Sequence, residues 1–152
     1  MSKSKDLDAA VQDVIKAGQI GQPVFVRCMV GAPDDREDQL NLLVDIIMNV
    51  RAWMGDSATR IYAVGTWALG LSILVQFRNG GTALISEKKA RDTSADLIIL
   101  GNHGALYHDA TALDAAKLTR AFPENETKRS VRAALEIAVE RGTPQAVVDG
   151  SP

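Results

Sequence analysis

Between Asp38 and Gly55 the apolar positions recur with a helical period. Leu40, Leu43, Val44, Ile47, Val50 and Met54 fall at three- and four-residue steps, as one face of a helix requires. Leu42, Ile46 and Met48 make the opposite side apolar too, so the middle of this helix is expected to be buried nearly all round. Asn41, Asp45 and Asn49 form a polar stripe on it at four-residue steps. Burying a carboxylate and two amides without partners is costly. The stripe therefore predicts either a partly wet helix edge or the wall of a polar cleft.

Two shorter stretches share that period. Residues 6–18 place Leu7, Val11, Val14 and Ile15 on one face, with Ser4 or Asp6 able to cap the start and Gly18 suited to the end. Asn125 can cap a second helix through Arg141, with Val131, Ala134, Leu135 and Ala138 facing inward and Gly142 as the stop. The intervening patterns are strand-like: residues 24–30, 59–67, 71–78, 82–87, 95–100 and 105–109, with a short edge piece at 145–148. Asn79-Gly80-Gly81 is a strong hairpin signal, because Asn and Gly accept positive φ cheaply. Gly101-Asn102-His103-Gly104 reads as a tight turn.

Residues 88–94 read as a polar loop, with Lys88-Lys89-Ala90-Arg91 in a solvated turn. Residues 110–125 are ambiguous; 112–121 fit a helix that Pro123 ends. Strands joined by such short turns pair antiparallel, and residues 95–100 read as the fourth strand of a meander. Grouped strands flanked by helices predict an α+β fold: a largely antiparallel open sheet of about five to six strands, with helices packed on one face. The other sheet face is left for water or a partner.

Length and charge narrow the function classes. The 152 residues fit a single domain with no inter-domain linker, and the formal net charge of −2 is spread along the chain. No broad basic surface results, which argues against nucleic acid or an anionic membrane as partner. No apolar run approaches the ~18 residues of a membrane span, and the N-terminal residues lead into an amphipathic pattern rather than a signal-peptide core. A single cysteine, Cys28, lies in an apolar strand-like run, and a cytoplasmic location is the default expectation.

Familiar chemistry is sparse. No G-x-G-x-x-G follows a strand and no G-x-x-x-x-G-K-[ST] occurs; Gly65-Thr-Trp-Ala-Leu-Gly70 resembles neither closely. Gly101-Asn-His-Gly104 offers backbone amides to an anion, although turn formation alone accounts for both glycines. His103, His108 and Asp109 are the nearest approach to a metal set, but a five-residue spacing puts the two histidines on opposite faces of a regular strand. No metal site is expected. Cys28 has no adjacent histidine or basic residue to activate it, which argues against an unaided nucleophilic enzyme.

Five stretches, in order, resemble the C-terminal, substrate-binding and dimerisation domain of the glucose–fructose oxidoreductase/inositol dehydrogenase (Gfo/Idh/MocA) family. DLDAAVQDVIKAGQIGQPVFVR is similar to that domain's helix, "sGeiG-p" turn and first strand. LNLLVDIIMNVRAWMGD resembles its long helix ending in "W-x-x-G" or "W-x-G", and ILVQFRNGGTALI its "l-x-F-x-NG-x-x-a" hairpin. ADLIILGNHGALYHD is similar to "l-x-i-x-G-x-x-G-x-l-x-x-d", and SVRAALEIAVERGTPQAVV to the closing helix and "sGkPV-v" end. Full-length members carry an N-terminal dinucleotide-binding domain and an E-K-P lysine, which this sequence lacks.

The family's long helix carries D-x-x-x-H, with the histidine near the carbon that is oxidised. Aligned backward from Gly55, Asn41 stands at the aspartate and Asp45 at the histidine; in the alternative register Asp45 and Asn49 take those places. Neither register supplies imidazole chemistry, which leaves Asp45 a weak candidate for a catalytic group. The resemblance implies a ligand-binding cleft at Asn41, Asp45 and Asn49, with His103 from the turn. It implies no cofactor bound by this chain alone, with NAD(P) supplied only by a partner subunit. Three roles follow as expectations. The first is an accessory subunit or ligand-binding scaffold, forming a homo-oligomer through the open sheet face or a hetero-oligomer with an oxidoreductase. The others are half of a split dehydrogenase acting on a polyol or sugar-like substrate, and a non-catalytic small-molecule sensor.

Overall fold

A computed structural model describes residues 6–89, 94–114 and 122–148. In chain order the elements are α1 (Asp6–Lys16), β1 (Pro23–Ala32), α2 (Arg36–Met54), β2 (Ala58–Thr66), β3 (Gly70–Phe77), β4 (Thr82–Lys89), β5 (Ser94–Gly101), β6 (Ala105–Asp114), α3 (Glu126–Arg141) and β7 (Gln145–Ala146). The fold is α+β, as expected, and the sheet has seven strands rather than five or six.

The helix boundaries follow from side-chain and glycine chemistry. The Asp35 carboxylate accepts the Asp38 amide at the start of α2, and Gly55 ends that helix with φ +74°. Asn125 accepts the Lys128 amide and Gly142 closes α3 in the same left-handed conformation. Along α2, Leu40, Leu43, Val44, Ile46, Ile47, Met48, Val50, Trp53 and Met54 are all buried, so the helix lies under the sheet and against the other helices with little free surface.

Strand order is β6-β5-β1-β4-β3-β2-β7. β2, β3 and β4 form the expected antiparallel meander, and β5 and β6 the expected hairpin. The expectation that β5 continues the meander is corrected. It pairs antiparallel with β1, and β1 in turn runs parallel to β4. The α2 crossover carries the chain from β1 to β2, so β1 is free to enter the middle of the sheet. No local period encodes that insertion. Two boundaries also shift: Lys88 and Lys89 belong to β4 and residues 112–114 to β6, while 90–93 and 115–121 lie outside the described residues.

Register separates the sheet into two faces. Val26, Cys28 and Val30 of β1 align with Ala83, Ile85 and Glu87 of β4 on the side covered by the helices. Leu97 and Ile99 of β5, Ile73 and Val75 of β3, and Ile61 and Ala63 of β2 complete that buried layer. α2 lies over β1 and β3, α3 over β2, and α1 packs on α2. On the opposite face Arg27, Arg60, Ser72, Gln76 and Asp96 are exposed.

Candidate functional site

The polar stripe of α2 faces α3. Arg132 donates from its guanidinium to the Asn41 side-chain oxygen at 2.5 Å, and to Glu124 at 3.0 Å. One turn earlier on α3, the Lys128 ammonium lies 3.2 Å from Asp45 Oδ1 and donates to the Phe122 carbonyl at 2.8 Å. The order of these pairs makes the two helices antiparallel at the seam. Asn49 is fully buried, and its amide donates back to the Asp45 carbonyl at 2.8 Å. The stripe is thus neither a bare wet edge nor an open trough. α3 supplies a cation for its carboxylate and a donor for its outermost amide, which removes most of the burial cost.

Lys128, Arg132 and Glu124 were not among the residues expected here. A sequence signal exists: Lys128 and Arg132 sit four residues apart on the helix that carries Val131 and Leu135 inward. Nothing local says which helix they face. The side chain of Lys128 keeps only 11% of its surface and that of Asp45 25%, so solvent still reaches the outer edge at Asn41 and Asp45.

His103 lies elsewhere. Its backbone amide donates to the Ile20 carbonyl at 2.9 Å, and its neighbour Asn102 accepts the Gln22 amide. Gln22 in turn donates to the Met54 carbonyl, which docks this turn at the C-terminal end of α2. Asn41 is thirteen residues back along that helix, about 20 Å at the ~1.5 Å rise of an α-helix. The structure joins Asn41, Asp45 and Asn49 along one seam and does not bring His103 to it. His108 stands on β6 opposite Leu97. Among the described residues no group of three or more metal-type ligands converges.

A second polar cluster sits at the opening of α2. Gln39, 1% exposed, donates to the Trp67 carbonyl at 3.1 Å and to the carboxylate of Glu87, itself 6% exposed. Arg36 covers the Trp67 ring, 5.1 Å from its centroid. The pattern of apolar residues does not anticipate this cluster, because Glu87 occupies a core-facing position of β4. Burial pushes the Cys28 thiol up to about 12, with the Asp96 charge adding to the effect, so it is a poor nucleophile.

Gly65 to Gly70 turns β2 into β3 rather than opening a helix. β1 leads into α2 through Pro33-Asp34-Asp35, whose carboxylates would repel a pyrophosphate. No described helix is long and apolar enough to cross a membrane.

No protein-family model matches the chain. No curated protein matches it either. Solved structures match its fold throughout. A myo-inositol dehydrogenase from Lactobacillus casei, in complex with NAD(H) and myo-inositol, aligns over 100% of this chain with a TM-score of 0.72 and 14% identity. A scyllo-inositol dehydrogenase from the same organism, with NAD(H) and scyllo-inositol bound, aligns over 95% at 0.67 and 11%. A myo-inositol 2-dehydrogenase from Lactobacillus plantarum aligns over 94% at 0.69 and 9%. The chain spans about 62% of the length of these three proteins. It therefore has the fold of a large part of an inositol-dehydrogenase-type oxidoreductase, of the Gfo/Idh/MocA kind.

Proposed function

We propose that the chain is an accessory, oligomerising relative of the substrate domain of such oxidoreductases, holding a small polyhydroxylated ligand rather than oxidising one by itself. The observation that carries the reading is the pairing of Asp45 with Lys128. In one of the two registers Asp45 stands where the family resemblance puts the catalytic histidine, and here its carboxylate faces the Lys128 ammonium and supplies no imidazole. The ligand would lie at the outer edge of the seam, on Asn41, Asp45 and Arg132, whose mixture of acceptors and donors suits hydroxyl groups. NAD(P) chemistry, in this reading, comes from a partner subunit.

Association would use the open sheet face, where Val64 is 56% and Tyr107 69% exposed beside half-buried Tyr62, Leu74, Leu84 and Ile98. Two measurements test the proposal. Sedimentation should show a dimer or a larger complex, and a melting-temperature screen should show stabilisation by inositols or related polyols that Asp45→Ala abolishes. A monomer at high concentration, together with a flat ligand screen, would overturn it. NAD(P)H turnover after mixing with a nucleotide-binding subunit, lost in Asp45→Ala, would instead favour a split dehydrogenase.

A further inference from the structure

At the α2–α3 seam a single carboxylate oxygen sits between two cations. Glu124 stands just before Asn125, the residue that caps α3, in a stretch without regular secondary structure. Its Oε1 lies 3.0 Å from the Arg132 guanidinium and 3.9 Å from the Lys128 ammonium. Both cations are held from behind. Arg132 donates to the Asn41 side-chain oxygen, and Lys128 donates to the Phe122 carbonyl beside Asp45. Their side chains keep 23% and 11% of their surface, whereas that of Glu124 keeps 50%. The cations are the fixed part of this cluster and the Glu124 carboxylate is the movable part.

A half-exposed ion pair is weak, because water solvates the freed carboxylate nearly as well as the pair does. Turning Glu124 outward therefore costs little. Of the four charged groups, it leaves Arg132 and Lys128 balanced by Asp45 alone, an excess of one positive charge. A neutral polyol has no group for that charge. We propose that the ligand of the seam is a sugar acid, an aldonate or uronate, whose carboxylate displaces Glu124 from Arg132 and Lys128. Its hydroxyls take Asn41 and the outer edge of Asp45. Glu124 is an internal competitor that covers the cations without ligand and lowers the apparent affinity by the fraction of time it does so. The inference rests on the ligand reading of the seam given above, and adds the charge of the ligand and the group that guards it.

Isothermal titration of the whole chain compares gluconate with sorbitol, and glucuronate with glucose. Each pair differs by a carboxylate in place of a hydroxymethyl group. The acids should bind at least about fivefold more tightly than their neutral counterparts, and added salt should shrink the difference. Glu124→Ala should tighten binding of the acids about threefold or more and leave the neutral compounds unchanged. Glu124→Gln, which keeps the shape and removes the charge, carries the test should the alanine variant disturb the cap at Asn125. Arg132→Gln should abolish the preference for the acids, and amide shifts on binding should gather at residues 41–45 and 124–132. No binding of either acid, or acid affinity that neither Glu124 variant raises, would overturn the inference. Sorbitol or glucose binding as tightly as its acid overturns it too, and leaves the neutral-polyol reading standing. Binding of the acids alone, raised by the Glu124 variants, upholds it while a flat response to neutral polyols removes that reading.

Discussion

The ammonium of Lys128 lies 3.2 Å from Oδ1 of Asp45, bridging α3 to the middle of α2. Each group makes the other tolerable in a nearly closed seam. Lys128→Met leaves the carboxylate facing a methyl group, and the partial exposure of Asp45 moderates the cost to about 1–2 kcal/mol. Urea denaturation should show that loss as a lower midpoint with an unchanged slope. Adding Asp45→Leu to the same chain should recover most of it, because the uncompensated charge is then gone.

Trp53 and Asp8 make a comparable link at the other end of α2. The indole N–H donates to the Asp8 carboxylate at 2.7 Å, and Gln12 donates to its second oxygen at 3.0 Å. Trp53→Phe keeps most of the ring volume and removes the donor. A loss of about 1–3 kcal/mol is expected. Hydrogen exchange should rise first in α1, whose packing partner is α2.

Acid should weaken the junction between α2 and β3. The Ser57 amide, donating at 2.7 Å, and the Arg78 guanidinium at 2.7 Å hold the Asp56 carboxyl below its usual range, against a smaller opposing effect of burial. A carboxyl depressed in the folded state stabilises above its unfolded value of ~3.9 and loses that contribution as pH falls through the folded value. Asp56→Asn should therefore lower stability at neutral pH and flatten its decline below about pH 4. Thermal melts across that range decide it.

Cys28 should be silent toward a thiol reagent at pH 8 while the chain is folded. Its strand is central, its side chain is buried and its thiol is pushed up to about 12. Full reaction is expected once urea passes the unfolding midpoint. Reaction in the folded state at the rate of an exposed thiol would contradict the burial.

What could be read directly from the residues was whatever depends on neighbours in sequence. The period of Leu40, Leu43, Val44 and Ile47 made α2 legible, and Asp35, Gly55, Asn125 and Gly142 marked helix ends by their own chemistry. Asn79-Gly80 marked the turn that joins β3 to β4. The stripe of Asn41, Asp45 and Asn49 was visible as a stripe. Tertiary structure decided its meaning by laying Lys128 and Arg132 against it, from more than eighty residues away in sequence.

The same division holds for the glycines and the sheet. Gly101 reads locally as a turn residue, yet a Cβ there would meet the Ile20 carbonyl oxygen at 2.0 Å, a contact made across the α1–β1 connection. Alternation along β1 and β5 named the core side of each strand. It did not name β1 as the neighbour of both β4 and β5. Hydrophobic period and capping act over a few residues and leave a direct mark in the sequence. Strand order and the partners of a buried charge are set by which distant surfaces fit once the chain has closed on itself, and any one segment carries only half of that fit.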